Sequence, residues 1–172
     1  LMSASMIAFA EHLATFLHRN HRYGEHPYTH HLSQVVSILR LAGYTDDGDP
    51  HTLAAGWLHD SIEDTIYTYP QAQLDLGHEV ANIVWAVTDE PGKNRKERHE
   101  KTYPKIQAME QATAVKLADR IANVLESLRT GNGMAKMYQK EHPGFKAGVR
   151  KERGYKDARV EFLWLLLEKV IS

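Results

Sequence analysis

Apolar residues recur at three- and four-residue steps along most of the chain, the period of helices with one buried face. Met6, Phe9, Ala10, Leu13, Phe16 and Leu17 mark a first amphipathic helix, ended by the polar stretch HRNHRYGEHP. Leu32, Val35, Val36 and Leu39 face inward on a second, from about Thr29 to Ala42, with Gly43 as its stop and TDDGDP as a loop. A third starts near Pro50, a favoured first-turn residue, with Asp49 as its candidate cap. Leu53, Ala54, Ala55, Trp57, Leu58 and Ile62 make it apolar on most faces, so it is expected to be buried, with His59-Asp60 inside it.

The segment YTYPQAQLDLG reads as a loop and a short helix. Val80, Ile83, Val84 and Val87 mark the next helix, ended by Pro91-Gly92, and the charged segment KNRKERHEKTYPK follows. Val115, Ala118, Ala122 and Leu125 line a further helix that stops before Gly131, and MAKMYQKEHPGF reads as a short helix and a turn. Val160 to Ile171 closes the chain as a strongly apolar helix, which fits either the core or a homodimer interface. No β-hairpin, repeat, linker or low-complexity tract is evident. The expectation is an all-α fold, one domain over residues 1–172.

Composition narrows the function. The 172 residues carry 21 Lys+Arg against 22 Asp+Glu, which argues against a general nucleic-acid or membrane-surface binder. There is no cysteine, so disulfides, thiolate metal sites and a Cys nucleophile are excluded. The N-terminal stretch has Glu11 and His12 within it and lacks a basic start, so it does not read as a signal peptide. The apolar run FLWLLL is too short to span a bilayer, and a soluble cytoplasmic protein is expected. The 11 histidines direct attention to metal and acid–base chemistry.

His59-Asp60 alone is a weak signal, since chance supplies roughly 0.6 such pairs in this composition. Its setting adds weight. Burying Asp60 unpaired in an apolar helix costs several kcal/mol or more, which a cation or an Arg would offset. Glu63 and Asp64 follow one turn later on nearly the same face, either crowding a site or solvated at an exposed helix end. Asp119, within VKLADRIANV, shares a face with Lys116 and Asn123; it serves a site or a surface pair with Lys116 or Arg120. His30 and His31 open the second helix about 100° apart, so at most one faces a core site. His31, four residues before Val35, lies on the buried side, as a ligand or as a core histidine.

The order His31, His59-Asp60, Asp119 resembles the H…HD…D signature of the HD superfamily. HPYTHHLSQVV, AAGWLHDSIEDT, IVWAVTDEPGKNRKER and VKLADRIANV are similar, in order and spacing, to the alarmone-hydrolase domain of RelA/SpoT proteins, above all its small stand-alone members. The similarity covers about residues 5–130. It implies an HD-domain helical bundle in which His31, His59, Asp60 and Asp119 ligate a metal, usually Mn²⁺, and Glu63 and Asp64 act on the catalytic water. It implies that Arg22 lies by the nucleotide and Asn123 near the sugar, with Lys116 in the same motif. Two positions depart from the pattern. Tyr23 stands where a Lys usually follows the Arg, which bears on base recognition. Leu32 stands where a Pro usually follows the first ligand, which bears on local helix geometry.

The chemistry of the residues agrees with that implication. Two imidazoles and two carboxylates leave room for water in an octahedral shell, which suits Mn²⁺ or Fe²⁺ over a closed zinc site. A pyrophosphate needs cations along its path; Lys93, Arg95, Lys96 and Arg98 are candidates, or else a solvated helix face with Glu97 and Glu100. Tyr138 and Lys140 are weaker candidates for a pocket rim. The expected function is a Mn²⁺-dependent pyrophosphohydrolase acting on (p)ppGpp or a related alarmone such as (p)ppApp, and only a hydrolase, since no synthetase domain is seen. A nucleotide phosphatase releasing orthophosphate and an inactive nucleotide-sensing module are the alternatives.

Overall fold

The computed structural model describes residues 2–172, and they are all-α apart from one minimal hairpin. The helices are α1 (Ser3–Leu17), α2 (Thr29–Leu41), α3 (Pro50–Leu58), α4 (Ser61–Asp64), α5 (Tyr69–Leu76), α6 (His78–Val87), α7 (Arg95–Ala108), α8 (Glu110–Thr130), α9 (Met134–Val149) and α10 (Ala158–Ile171). Helix α8 is the axis of the bundle: α2, α3, α6, α7, α9 and α10 all pack on it, while α1 lies on α3. Leu117, Ala118, Ile121 and Val124 of α8 are fully buried, and they meet Leu32 and Leu39 of α2, Leu53 and Leu58 of α3, and Leu163 and Trp164 of α10 in one apolar cluster.

Local signals end the helices where the residues require it. After α2, the Gly43 N–H reaches the Arg40 carbonyl and the Tyr44 N–H the Leu39 carbonyl, a Schellman close that needs the positive φ of Gly43. Thr68 and Gln71 form a reciprocal capping box at α5, and Gly131 closes α8 in the left-handed region.

Several expectations are corrected. His59 and Asp60 do not lie inside α3. They sit at its end, joining it to the single turn of α4, with the Asp64 N–H on the Asp60 carbonyl at 2.9 Å. Asp49 makes no cap to α3; its carboxylate takes the Thr45 N–H and the Arg159 guanidinium instead. The charged segment after Gly92 forms the long helix α7, capped by the Asn94 side chain, and α9 runs well past a short helix and turn. Arg22–Tyr23 pairs antiparallel with His26–Pro27, a hairpin whose turn uses the positive φ of Gly24. Two residues per strand leave no alternation to read. Helix α10 completes the core with Val160, Leu163, Trp164 and Leu167 while exposing Phe162 and Leu165. No helix among the described residues is long and apolar enough to cross a membrane.

Candidate metal centre

Three elements converge on one cavity of about 240 Å³. The start of α2 supplies His31, the α3–α4 junction His59 and Asp60, and the middle of α8 Asp119. His31 and His59 are buried, and the Asp119 side chain retains 10% exposure. His31 Nε2 lies 3.2 Å from Asp119 Oδ1 and 3.8 Å from Asp60 Oδ2; His59 Nε2 lies 3.0 Å from Asp60 Oδ2 and 3.7 Å from Asp119 Oδ1. Adjacent ligands in an octahedron with bonds of about 2.1 Å stand about 3.0 Å apart, so these spacings suit one shared ion.

The donor atoms are prepared for it. The His59 Nδ1–H donates to the Gly56 carbonyl at 2.9 Å, which turns Nε2, buried and without a hydrogen bond of ordinary geometry, towards the Asp60 and Asp119 carboxylates. One donor atom each from His31, His59 and Asp119 lies within 4.8 Å of the others. The Tyr28 hydroxyl donates to Asp60 Oδ2 at 2.6 Å, and the Asn123 amide donates to Asp119 Oδ1 at 2.7 Å. The Tyr23 hydroxyl in turn donates to Asn123 Oδ1 at 2.9 Å. Lys116 Nζ stands 3.0 Å from Asp119 Oδ2.

Electrostatics point the same way. Burial pushes both carboxyls up, but the His59 imidazole beside Asp60, and Lys116 with the two imidazoles beside Asp119, hold both below the usual carboxylate range. Burial likewise opposes a charged His59, yet the Asp60 and Asp119 carboxylates hold its pKa well above the usual value. The buried cluster thus draws positive charge, which a divalent ion supplies.

The predicted residues do not all meet here. Glu63 and Asp64 line the cavity, both raised in pKa chiefly by burial, with Glu63 Oε2 accepting the Asp89 N–H at 3.0 Å. Lys116, Asn123 and Arg95 also line it. Lys93, Lys96 and Arg98 are not among its walls. Lys93 precedes α7, Lys96 is turned outward by the helix towards Glu100, and Arg98 faces Asp89 at 3.7 Å. Arg22 is exposed, its guanidinium donating to the Glu25 carbonyl. Tyr138 lines the cavity, whereas Lys140 lies by the separate groove between α7 and α9. Tyr28 and Asp89 are wall residues the sequence did not single out; His99, behind the candidate cations, and Arg120, read there only as a surface partner of Asp119, line the cavity as well. For Tyr28 a signal existed: it precedes His31 by three, on the same face of the helix start.

A His/Asp cluster open to a polar cavity and carried by a helical bundle suits a metal-dependent hydrolase. Residues 7–141 match the model of the HD domain, and the chain belongs to that family. It is 30% identical over 130 residues to the guanosine-3′,5′-bis(diphosphate) 3′-pyrophosphohydrolase MESH1 of Xenopus tropicalis, covering 73% of this chain and 72% of that one. It is 30% identical over 136 residues to the human protein of the same name, covering 70% and 69%. Among solved structures it is similar to a metazoan ortholog of SpoT described as hydrolysing ppGpp, with a TM-score of 0.75, 26% identity, and 96% and 93% of the two chains covered.

Proposed function

We propose that this chain is a Mn²⁺-dependent pyrophosphohydrolase that removes the 3′-pyrophosphate of (p)ppGpp or a related alarmone such as (p)ppApp. The carrying observation is the His31, His59, Asp60 and Asp119 cluster with Glu63 and Asp64 at its mouth. His31, His59, Asp60 and Asp119 hold the ion. When bound, it lowers the pKa of a bound water and polarises a phosphoryl oxygen. Glu63 or Asp64 accepts the proton of the attacking water, and their raised pKa values suit that exchange. The water oxygen bonds to the phosphorus as the bond between that phosphorus and the 3′ oxygen breaks, and the 3′ oxygen takes up the proton, giving GDP or GTP (or the adenine equivalents) and pyrophosphate.

The cavity's shape supports a nucleotide. Arg95, Lys116 and Arg120 on its walls offset phosphate charge. A larger cavity of about 550 Å³ adjoins it through Asn123 and Tyr138, which line both, and gives room for a nucleoside. Tyr23 lines that second cavity, at the position where the RelA/SpoT pattern has Lys. The test is product analysis with ppGpp and ppApp in Mn²⁺. Pyrophosphate and a nucleoside 5′-diphosphate are expected from at least one, and none from Asp60→Ala that remains folded. Orthophosphate as the product, or full activity in Asp60→Ala, would overturn the reading.

A further inference from the structure

Of the two histidines that open α2, only His31 turns into the catalytic cavity. His30 lies about 100° round the helix and faces the hairpin and the C-terminal half of α8. There its Nε2 lies 4.0 Å from Glu126 Oε2. His26, four residues earlier on the second strand of the hairpin, stacks its ring on that of His30, with centroids 4.2 Å apart and planes at 21°. One donor atom from each of His26, His30 and Glu126 lies within 4.8 Å of the other two. The proposed hydrolysis uses none of the three as a metal ligand.

We infer that His26, His30 and Glu126 form a second divalent-metal site, selective for a borderline ion such as Zn²⁺. Two imidazoles and one carboxylate with a fourth position open is a set that zinc adopts, and imidazole favours Zn²⁺, Cu²⁺ or Ni²⁺ over Mg²⁺ or Ca²⁺. Ligands on a tetrahedral ion with bonds of 2.0–2.1 Å stand about 3.3 Å apart, so the His30–Glu126 gap closes by less than about 1 Å. Imidazole lone pairs lie in the ring plane, so the His26–His30 stack must also open for both to reach one ion; His30 is 35% exposed and His26 is half-buried on the hairpin, and both are free to turn. His26 and Glu126 both line the 550 Å³ cavity, so a fourth ligand can reach the ion from there.

The surrounding groups leave room for the ion. Glu126 is buried and its two oxygens accept from Arg129, at 3.0 Å for Oε2 and 2.7 Å for Oε1. Each oxygen has two acceptor positions, and the Gln34 side chain also hydrogen-bonds Glu126, so an ion takes the position that Gln34 gives up. Arg129 is 60% exposed and can also swing into solvent. Gln34 sets its amide nitrogen 3.1 Å from His30 Nε2, while its amide oxygen is buried with no partner. An amide turn exchanges the two atoms and brings that oxygen beside the imidazole, where a cation would satisfy both.

The test is calorimetric titration of the metal-stripped full chain with Zn²⁺, alongside His26→Ala/His30→Ala and Glu126→Gln. Each variant is expected to bind one molar equivalent fewer than the parent. In histidine-ring nitrogen spectra of the parent, His26 and His30 are expected to shift as that equivalent binds. Variants that bind as many equivalents as the parent, or ring nitrogens that stay unmoved, would overturn the site. If the double variant loses its fold by circular dichroism, Glu126→Gln and the parent spectra decide. The readout is binding alone, so its failure leaves the proposed hydrolysis standing, and failure of the hydrolysis leaves this site standing.

Discussion

Tyr28→Phe isolates the support of a proposed metal ligand, Asp60, from the ligand itself. The hydroxyl donates to Asp60 Oδ2 at 2.6 Å, and burial followed by the Asp60 charge raises its pKa, so it remains a protonated donor. The ring also stacks on His18 at 4.8 Å and meets His31 edge-on at 5.6 Å, contacts that Phe keeps. A hydrogen bond to a charged group contributes about 1.5–3 kcal/mol. Asp60 retains 18% side-chain exposure, so water replaces part of the loss and the lower end applies. At about 1.4 kcal/mol per decade, Mn²⁺ affinity should fall about tenfold, within the range for outer-shell partners of metal ligands. The assay is the Mn²⁺ concentration giving half-maximal pyrophosphate release, read together with the turnover at saturating Mn²⁺. A tenfold rise in the first with turnover largely recovered is expected. A half-saturating concentration unchanged within twofold would refute the reasoning, as would an unfolding temperature lowered as far as by a core truncation.

Other expectations follow from named contacts. Glu63→Gln and Asp64→Asn should show which carboxylate takes the proton: the one that does loses about 10²–10⁴-fold in kcat with KM little changed. Gly56→Ala would set a Cβ 2.9 Å from Leu39 Cδ1 and 3.2 Å from Val36 Cγ2, at the residue whose carbonyl orients His59. Overpacking of about 1–3 kcal/mol and weakened metal binding should result, measured by denaturant unfolding and metal titration. Arg159 ties α10 to the α2–α3 loop through Asp49 at 2.7 and 2.8 Å and Asp157 at 2.9 and 3.0 Å, and lies over the Tyr44 ring at 4.0 Å. With the pair a third exposed, Arg159→Ala should cost about 1–2 kcal/mol. Burial raises the Asp49 and Asp157 carboxyls, but the Arg159 hydrogen bonds and charge, joined by the Thr45 N–H at Asp49 and the Tyr44 hydroxyl at Asp157, together outweigh it and their folded-state pKa values are depressed. Their stabilisation is therefore present above the ordinary carboxylate pKa of about 3.9 and is lost as pH falls below it, so acid unfolding of the variant should show a smaller pH dependence.

The helices whose apolar period is strong, α1, α2, α6, α8 and α10, were legible in the sequence because burial imposes that period. Helix α7 was not, because RKERHEKTYPKIQA buries only Thr102 and Ile106 and relies on the Asn94 cap for its start. The four proposed ligands were each ambiguous in the sequence: His31, His59 and Asp119 are buried and Asp60 half-buried, but only the H…HD…D resemblance joined them across elements that packing brings together. The substrate contacts were less legible still. A run of cations records composition, but the helix start at Arg95 decides which of them turns inward, and that start was hidden. Tyr28 was missed because its role depends on a contact with Asp60, 32 residues away in sequence. His26 and His30 are a separate lesson, since the argument that only one of His30 and His31 can face the core left the other without a task.

The most direct measurement is pyrophosphate release from ppGpp by metal-stripped protein as Mn²⁺ is added back. The structure leads to no turnover without the ion, recovery that saturates with Mn²⁺, and no recovery in Asp60→Ala. Turnover that persists after the metal is removed, or recovery in the Asp60→Ala variant, would contradict a phosphohydrolase centre built on His31, His59, Asp60 and Asp119.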